Sequence, residues 1–185
     1  MIDYADDLRT TVTDAAASLA AVSEAVAAER PAPDKWSPKE IIGHLVDSAA
    51  NNHQRFVRAQ LQDDLVFPGY AQDEWVAAQC YQDAPWQSLL ILWREYNLHI
   101  ARVIEAMPAD VRLRERMRHN LHELAWHAVP VDQPATLDYF MRDYVAHLHH
   151  HLRQIDRALA TGREADLRHH PVSVRPEMLP GRHHA

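Results

Sequence analysis

With 185 residues, 26 acidic against 19 basic side chains and a net charge of −7, the chain has the size of one domain and offers no concentrated basic face for nucleic acid. No stretch approaches the roughly 20 apolar residues of a membrane helix, Asp3, Asp6 and Asp7 stand where a signal peptide would be apolar, and the lone Cys80 excludes an intrachain disulfide. A cytoplasmic, all-α protein is expected, because 47% of residues are hydrophobic, only 4 are glycine and β-branched runs are few.

Residues 2–29 read as one helix, with Leu8, Val12, Ala15, Leu19, Val22 and Val26 at three- and four-residue intervals. Pro31 and Pro33 stop it. Ser37-Pro38-Lys39-Glu40 is a capping box with proline at the first helical position, and the second helix should reach residue 61. On it Ile41, His44, Ser48, Asn51 and Arg55 share one stripe, since offsets of 4, 7 and 11 residues return to within about 40° of His44. A polar stripe rooted in a histidine needs a ligand or a partner.

Between 62 and 83 the periodicity fails, with a turn at Pro68-Gly69-Tyr70 and a short helix near 73–79. Cys80 has no base beside it and reads as a packing residue. A third helix over 85–107 carries Trp86, Leu89, Leu90, Leu92, Trp93, Tyr96, Ile100, Val103 and Ile104, an apolar breadth that reads as core, and its His99 has no partner at helical spacing and reads as a bystander. A second long connection covers 108–135, broken by Pro108, Pro130 and Pro134; connections of this length often act as lids or binding loops. Its basic run 112–119 is expected to face water, as are His119, His122 and His127 unless they rim a site.

Thr136 caps the last helix, which should end at Thr161-Gly162. The expected division is a bundle over 1–162 and an extended or disordered tail over 163–185, whose His169, His170, His183 and His184 could buffer metal. Four long helices without a repeat describe a four-helix bundle, in which sites are built from side chains on facing helices.

In the last helix the run His147-Leu148-His149-His150-His151 places His147 and His151 four residues apart, about 40° around the axis, where two imidazoles can grip one ion. His149 lies about 200° from His147 and aims elsewhere, while His150, about 60° off, is close enough to touch a ligand imidazole but poorly aimed to coordinate. A solvated histidine-rich helix is the plain alternative, since 14 histidines make such spacings easy to obtain by chance. His44 is the third candidate ligand.

The segments WSPKEIIGHLVDSAANNHQRF (36–56), GYAQDEW (69–75) and YVAHLHHHLRQI (144–155) resemble the DinB-like superfamily of metal-binding four-helix bundles and, within it, the YfiT branch of metal-dependent hydrolases and thiol transferases. The motif is His44, Asp47-Ser48, Asn51, Arg55-Phe56 and a final His147-x-x-x-His151, and the departure is Gln154, where the YfiT branch carries histidine. The resemblance implies one divalent ion, zinc or nickel, held by His44, His147 and His151 with water completing the shell. Asp47 and Gln154 would then orient ligand imidazoles by hydrogen bonds, Asn51 would bond water or substrate, and Arg55 would clamp an anionic substrate; ordinary ion pairs are the alternative for Asp47 and Arg55.

The function implied is activation of a low-molecular-weight thiol, or of water, at the ion, with thiol transfer to an electrophile expected first. Hydrolysis of a small amide or ester, or a non-catalytic bundle stabilised by metal, are the alternatives. The partner expected is a small-molecule substrate, with no nucleic acid and no membrane; a homodimer is compatible with the sequence.

Overall fold

The computed structural model describes residues 3–169. Helix α1 (Asp3–Leu19) buries Leu8, Val12, Ala16 and Leu19. The single helix expected over 2–29 is instead two, because α2 (Glu24–Ala28) starts afresh at Ser23, whose side chain accepts from the Val26 amide. The break is held by tertiary contacts: the Trp86 indole donates to the Leu19 carbonyl and the Gln87 amide to that of Ala20, so the end of α1 is satisfied by another helix as well as by its own closing turn, where the Val22 amide reaches Leu19.

Helix α3 (Pro38–Arg58) opens with the expected capping box, Ser37 and Glu40 bonding reciprocally at 2.8 and 3.3 Å. It ends just short of residue 61, and the carbonyl of its C-cap Ala59 takes a bond from the buried Arg116. Then follow α4 (Gln72–Ala78), a 3-10 turn (Tyr81–Asp83), α5 (Trp86–Glu105), α6 (Ala109–Leu113), α7 (Leu121–Leu124) and α8 (Leu137–His169). Thr136 caps α8 as expected, its hydroxyl accepting from the Tyr139 amide.

Helix α8 does not stop at Thr161-Gly162 but runs through to His169. A glycine inside a helix costs about 1 kcal/mol relative to alanine but leaves the i to i−4 ladder intact, and the next proline comes only at Pro171. The expected tail therefore begins as helix; His170, His183 and His184 lie outside the described residues.

The four long helices close a ring, α5 against α3 and α1, and α8 against α3 and α1. Successive long helices α1 and α3 thus stand across the diagonal, as do α5 and α8. There is no strand among the described residues, only two isolated bridges, Leu65 with His119 and Arg116 with Ala135. The first ties the two long connections to each other and the second closes the later connection on itself, and the Asn120 side chain reinforces the first by bonding both the amide and the carbonyl of Phe67. No described helix is long and apolar enough to cross a membrane.

Several loop expectations change. Arg116 and His119 are buried rather than water-facing: Arg116 donates to three backbone carbonyls, and His119 bonds the Gln133 carbonyl while accepting from the Leu121 amide. Arg112 pairs with Asp138. Buried backbone in an irregular segment needs partners, and these side chains supply them. Cys80 is exposed, not packed, because it follows the C-cap of α4 in a left-handed conformation (φ 51°) that turns it outward. His99 has a partner after all, on another helix: its Nε2 lies 3.2 Å from that of His53.

Candidate metal centre

Burial of the α3 face places His44 wholly inside, 0% exposed, with Trp36 over its ring at 5.1 Å. From α8, His147 and His151 come up one turn apart with their Nε2 atoms 3.0 Å from each other. Together the three imidazoles offer one ligand atom each, all within 4.8 Å of one another. The pair from one helix and the single histidine from its neighbour are thus brought to a point.

Whether these residues fit an ion is testable on their hydrogen bonds. Gln154 Oε1 lies 2.9 Å from His151 Nδ1, which donates to it, so Nε2 of that ring carries a lone pair facing the other two histidines. Both nitrogens of His44 are buried with no hydrogen-bond partner. A neutral imidazole always carries one N–H and one lone pair, and leaving both unmet costs about 1–3 kcal/mol each. A cation among the three rings satisfies the lone pairs, and the donor set, three neutral nitrogens, is the one that holds catalytic divalent metals. The residues fit.

Burial acts in the same direction on all three, pushing His44 and His147 down to about 3 and His151 down to about 4. They stay neutral and able to coordinate at any physiological pH.

A cavity of about 240 Å³ opens beside His147 and His151, lined further by Ser48, Asn52 and Arg55 of α3, by Tyr70 and by Trp126. Its roof is the pair of long connections. Asp143 accepts from the amides of Trp126 and His127 and from His127 Nδ1, and so pins the segment that lays Trp126 against the His147 and His150 rings at 5.7 and 4.4 Å.

The remaining sequence candidates fall unevenly. Gln154 contacts a ligand imidazole. Asp47 does not: its Oδ1 accepts from Tyr81 Oη and Gln79 Nε2, both at 2.7 Å, while Oδ2 is buried without a partner and burial raises the carboxyl above its usual range. The Tyr81 ring reaches Asp47 by lying flat on Gly43, one turn earlier, where any Cβ would sit 2.2 Å from it. Asn51 bonds its own helix at the Asp47 carbonyl and is absent from the cavity lining, where Asn52 stands instead. The cavity lies to one side of the His44 line, at the angles of Ser48 and Asn52, about 40° and 80° round, whereas Asn51 lies about 20° the other way. Arg55 does line it.

Tyr70, Tyr81 and Trp126 were missed. The GYAQDEW motif contains Tyr70, but nothing in the local period of a loop shows that burial would push its hydroxyl up to about 12.

A model of the DinB superfamily matches residues 7–155. The chain belongs to the DinB superfamily. Among solved structures it is similar to YfiT from Bacillus subtilis, described as a probable metal-dependent hydrolase with an unusual four-helix bundle topology, at a TM-score of 0.67 and 16% identity over 89% of this chain and 85% of that one. That likeness bears out the four-helix bundle. No protein of curated function matches the sequence.

Proposed function

We propose that this DinB protein is a metal-dependent enzyme acting on a small molecule, with His44, His147 and His151 as the ligands of one divalent ion, zinc or nickel. The observation that carries this reading is the convergence of three neutral imidazoles, two of which, His147 and His151, line a cavity that could admit a small substrate. An ion held there lowers the pKa of a coordinated O–H or S–H group and so supplies a nucleophile at neutral pH. Gln154 keeps the His151 lone pair aimed at the site, Trp36 shields His44 from water, and Trp126 closes the mouth. Asp47 acts at a distance, holding Tyr81 and with it the turn that follows α4.

Hydrolysis is supported by the description of YfiT, and transfer of a low-molecular-weight thiol by the family resemblance alone; both require the same open ion. Metal analysis of protein purified without an affinity column tests the centre: one equivalent in the wild type and none in His44→Ala is expected. A panel of small amides and esters, then thiols with electrophiles, with and without chelator, tests the chemistry. Turnover that chelator leaves unchanged would overturn it. A non-catalytic centre predicts metal-dependent melting and no turnover with any member of the panel.

A further inference from the structure

Arg55 is 6% exposed and pairs with no carboxylate among the described residues. The other enclosed cations are accounted for. Lys39 pairs with Glu24, Arg112 with Asp138, and Arg116 is closed by the carbonyls of Ala59, Val111 and Arg114. Arg55 has one good bond, Nη2 to the Pro68 carbonyl at 2.8 Å, and one long contact, Nη1 to Asn52 Oδ1 at 3.4 Å. A guanidinium carries five N–H donors and stays charged in proteins, so most of its capacity is unspent on the wall of the cavity that holds His147 and His151.

Burying a charge without a counter-charge is costly; Arg116 meets that cost with three carbonyls, whereas Arg55 has only the Pro68 carbonyl at full strength and faces a cavity that a ligand can enter. The carboxylates near this cavity do not supply it. Asp143 is consumed by three N–H donors, and Glu123 is exposed on the rim beside His122. The remaining polar groups of the lining carry no negative charge: Ser48, Asn52, Gln72, Tyr70, Tyr144 and the two histidines are neutral.

We propose that this cavity is an anion subsite, in which the Arg55 guanidinium takes the carboxylate or phosphate oxygens of a small substrate while the group to be transformed lies at the three histidines. Charge-assisted bonds from a planar guanidinium suit either oxyanion. The volume, about 240 Å³, lies below the usual range for drug-sized ligands and suits a small molecule. Eleven residues of α3 separate His44 from Arg55, about 16 Å of helix rise less the reach of the two side chains. A ligand that serves both ends therefore carries its anionic group several bonds from its reacting group. The reacting end rests on the metal centre proposed above; the anion subsite does not.

The test uses glutarate, inorganic phosphate and the neutral isostere glutaramide as probes, titrated by calorimetry and by tryptophan fluorescence into zinc-loaded protein and into protein stripped by chelator and dialysed. In the stripped protein at least one of the two anions should bind about tenfold or more tighter than glutaramide, the scale of a charged hydrogen bond. Arg55→Gln should abolish the preference and Arg55→Lys should keep part of it. Glutarate without phosphate identifies a carboxylate substrate, and the reverse a phosphate. Equal binding of anions and amide, or a preference that survives Arg55→Gln, overturns the proposal. If Arg55→Gln fails to fold, salt decides in the wild type: added NaCl should weaken anion binding and leave glutaramide unchanged, and an equal response overturns it. Anion binding in protein that takes up no zinc would sink the metal centre and leave the subsite standing.

Discussion

An imidazole enclosed by other side chains resists protonation, and at this site that resistance has a cost that depends on pH. His44, His147 and His151 are held by burial at about 3, 3 and 4, while the unfolded chain protonates them near 6.5. Below pH 6.5 the unfolded state therefore binds protons that the metal-free folded state does not, and stability rises with pH across the window from about 4 to 6.5. Melting temperatures of metal-free protein should fall steadily from pH 7 to pH 4.5, and the fall should be shallower in His44→Ala. Parallel profiles would show that the triad does not titrate in this way. The His147 and His151 pair is legible in the sequence because a helix repeats every 3.6 residues. Asn52 in place of Asn51 is not, because the side on which the cavity opens is set by α8 and by the loops above it. The His53 and His99 contact is hidden for the same reason, each lacking a partner within its own helix.

Close approach of elements explains the strongest packing constraint near the centre. Tyr81, on the 3-10 turn after α4, lies against Gly43 of α3 so closely that an added methyl would meet Cβ of Tyr81 at 2.8 Å as well as its ring. Because Cβ is tied to the backbone, the turn itself must move. Gly43→Ala should destabilise by about 1–3 kcal/mol, the usual cost of overpacking, against at most about 1 kcal/mol recovered from helix propensity. Tyr81→Phe, which removes only the hydroxyl bonded to Asp47, should cost less. Denaturant unfolding of the two variants compares them, and an alanine that proves neutral would mean the turn gives way freely. Of the elements themselves, the start of α3 was readable from four residues because a capping box is a local device. The break after α1 was not, since Trp86 and Gln87 of α5 satisfy its last carbonyls.

At the scale of the molecule, the ring of helices sets α3 beside α8, elements joined through α5 and two long connections. An ion shared by His44 and the α8 pair would tie these two helices together, and a ligand that binds only the folded state stabilises it by mass action, about 2.7 kcal/mol at a hundred times its dissociation constant. Zinc should raise the melting temperature in proportion to the logarithm of its concentration, chelator should reverse the rise, and His151→Ala should remove it. A melting temperature indifferent to zinc would show that the three histidines do not act together. The sequence by itself determined the helical class, the N-caps of α3 and α8, the two-histidine grip on α8 and the polar stripe on α3, all of which are decided within two or three turns of one helix. Only the tertiary structure decided that His44 meets that grip with both nitrogens unpartnered, that Asp47 turns to Tyr81, and that Arg55 lines a cavity while pairing with no carboxylate among the described residues. Those facts depend on which faces meet across a hundred residues of chain, and local periodicity carries no record of that meeting.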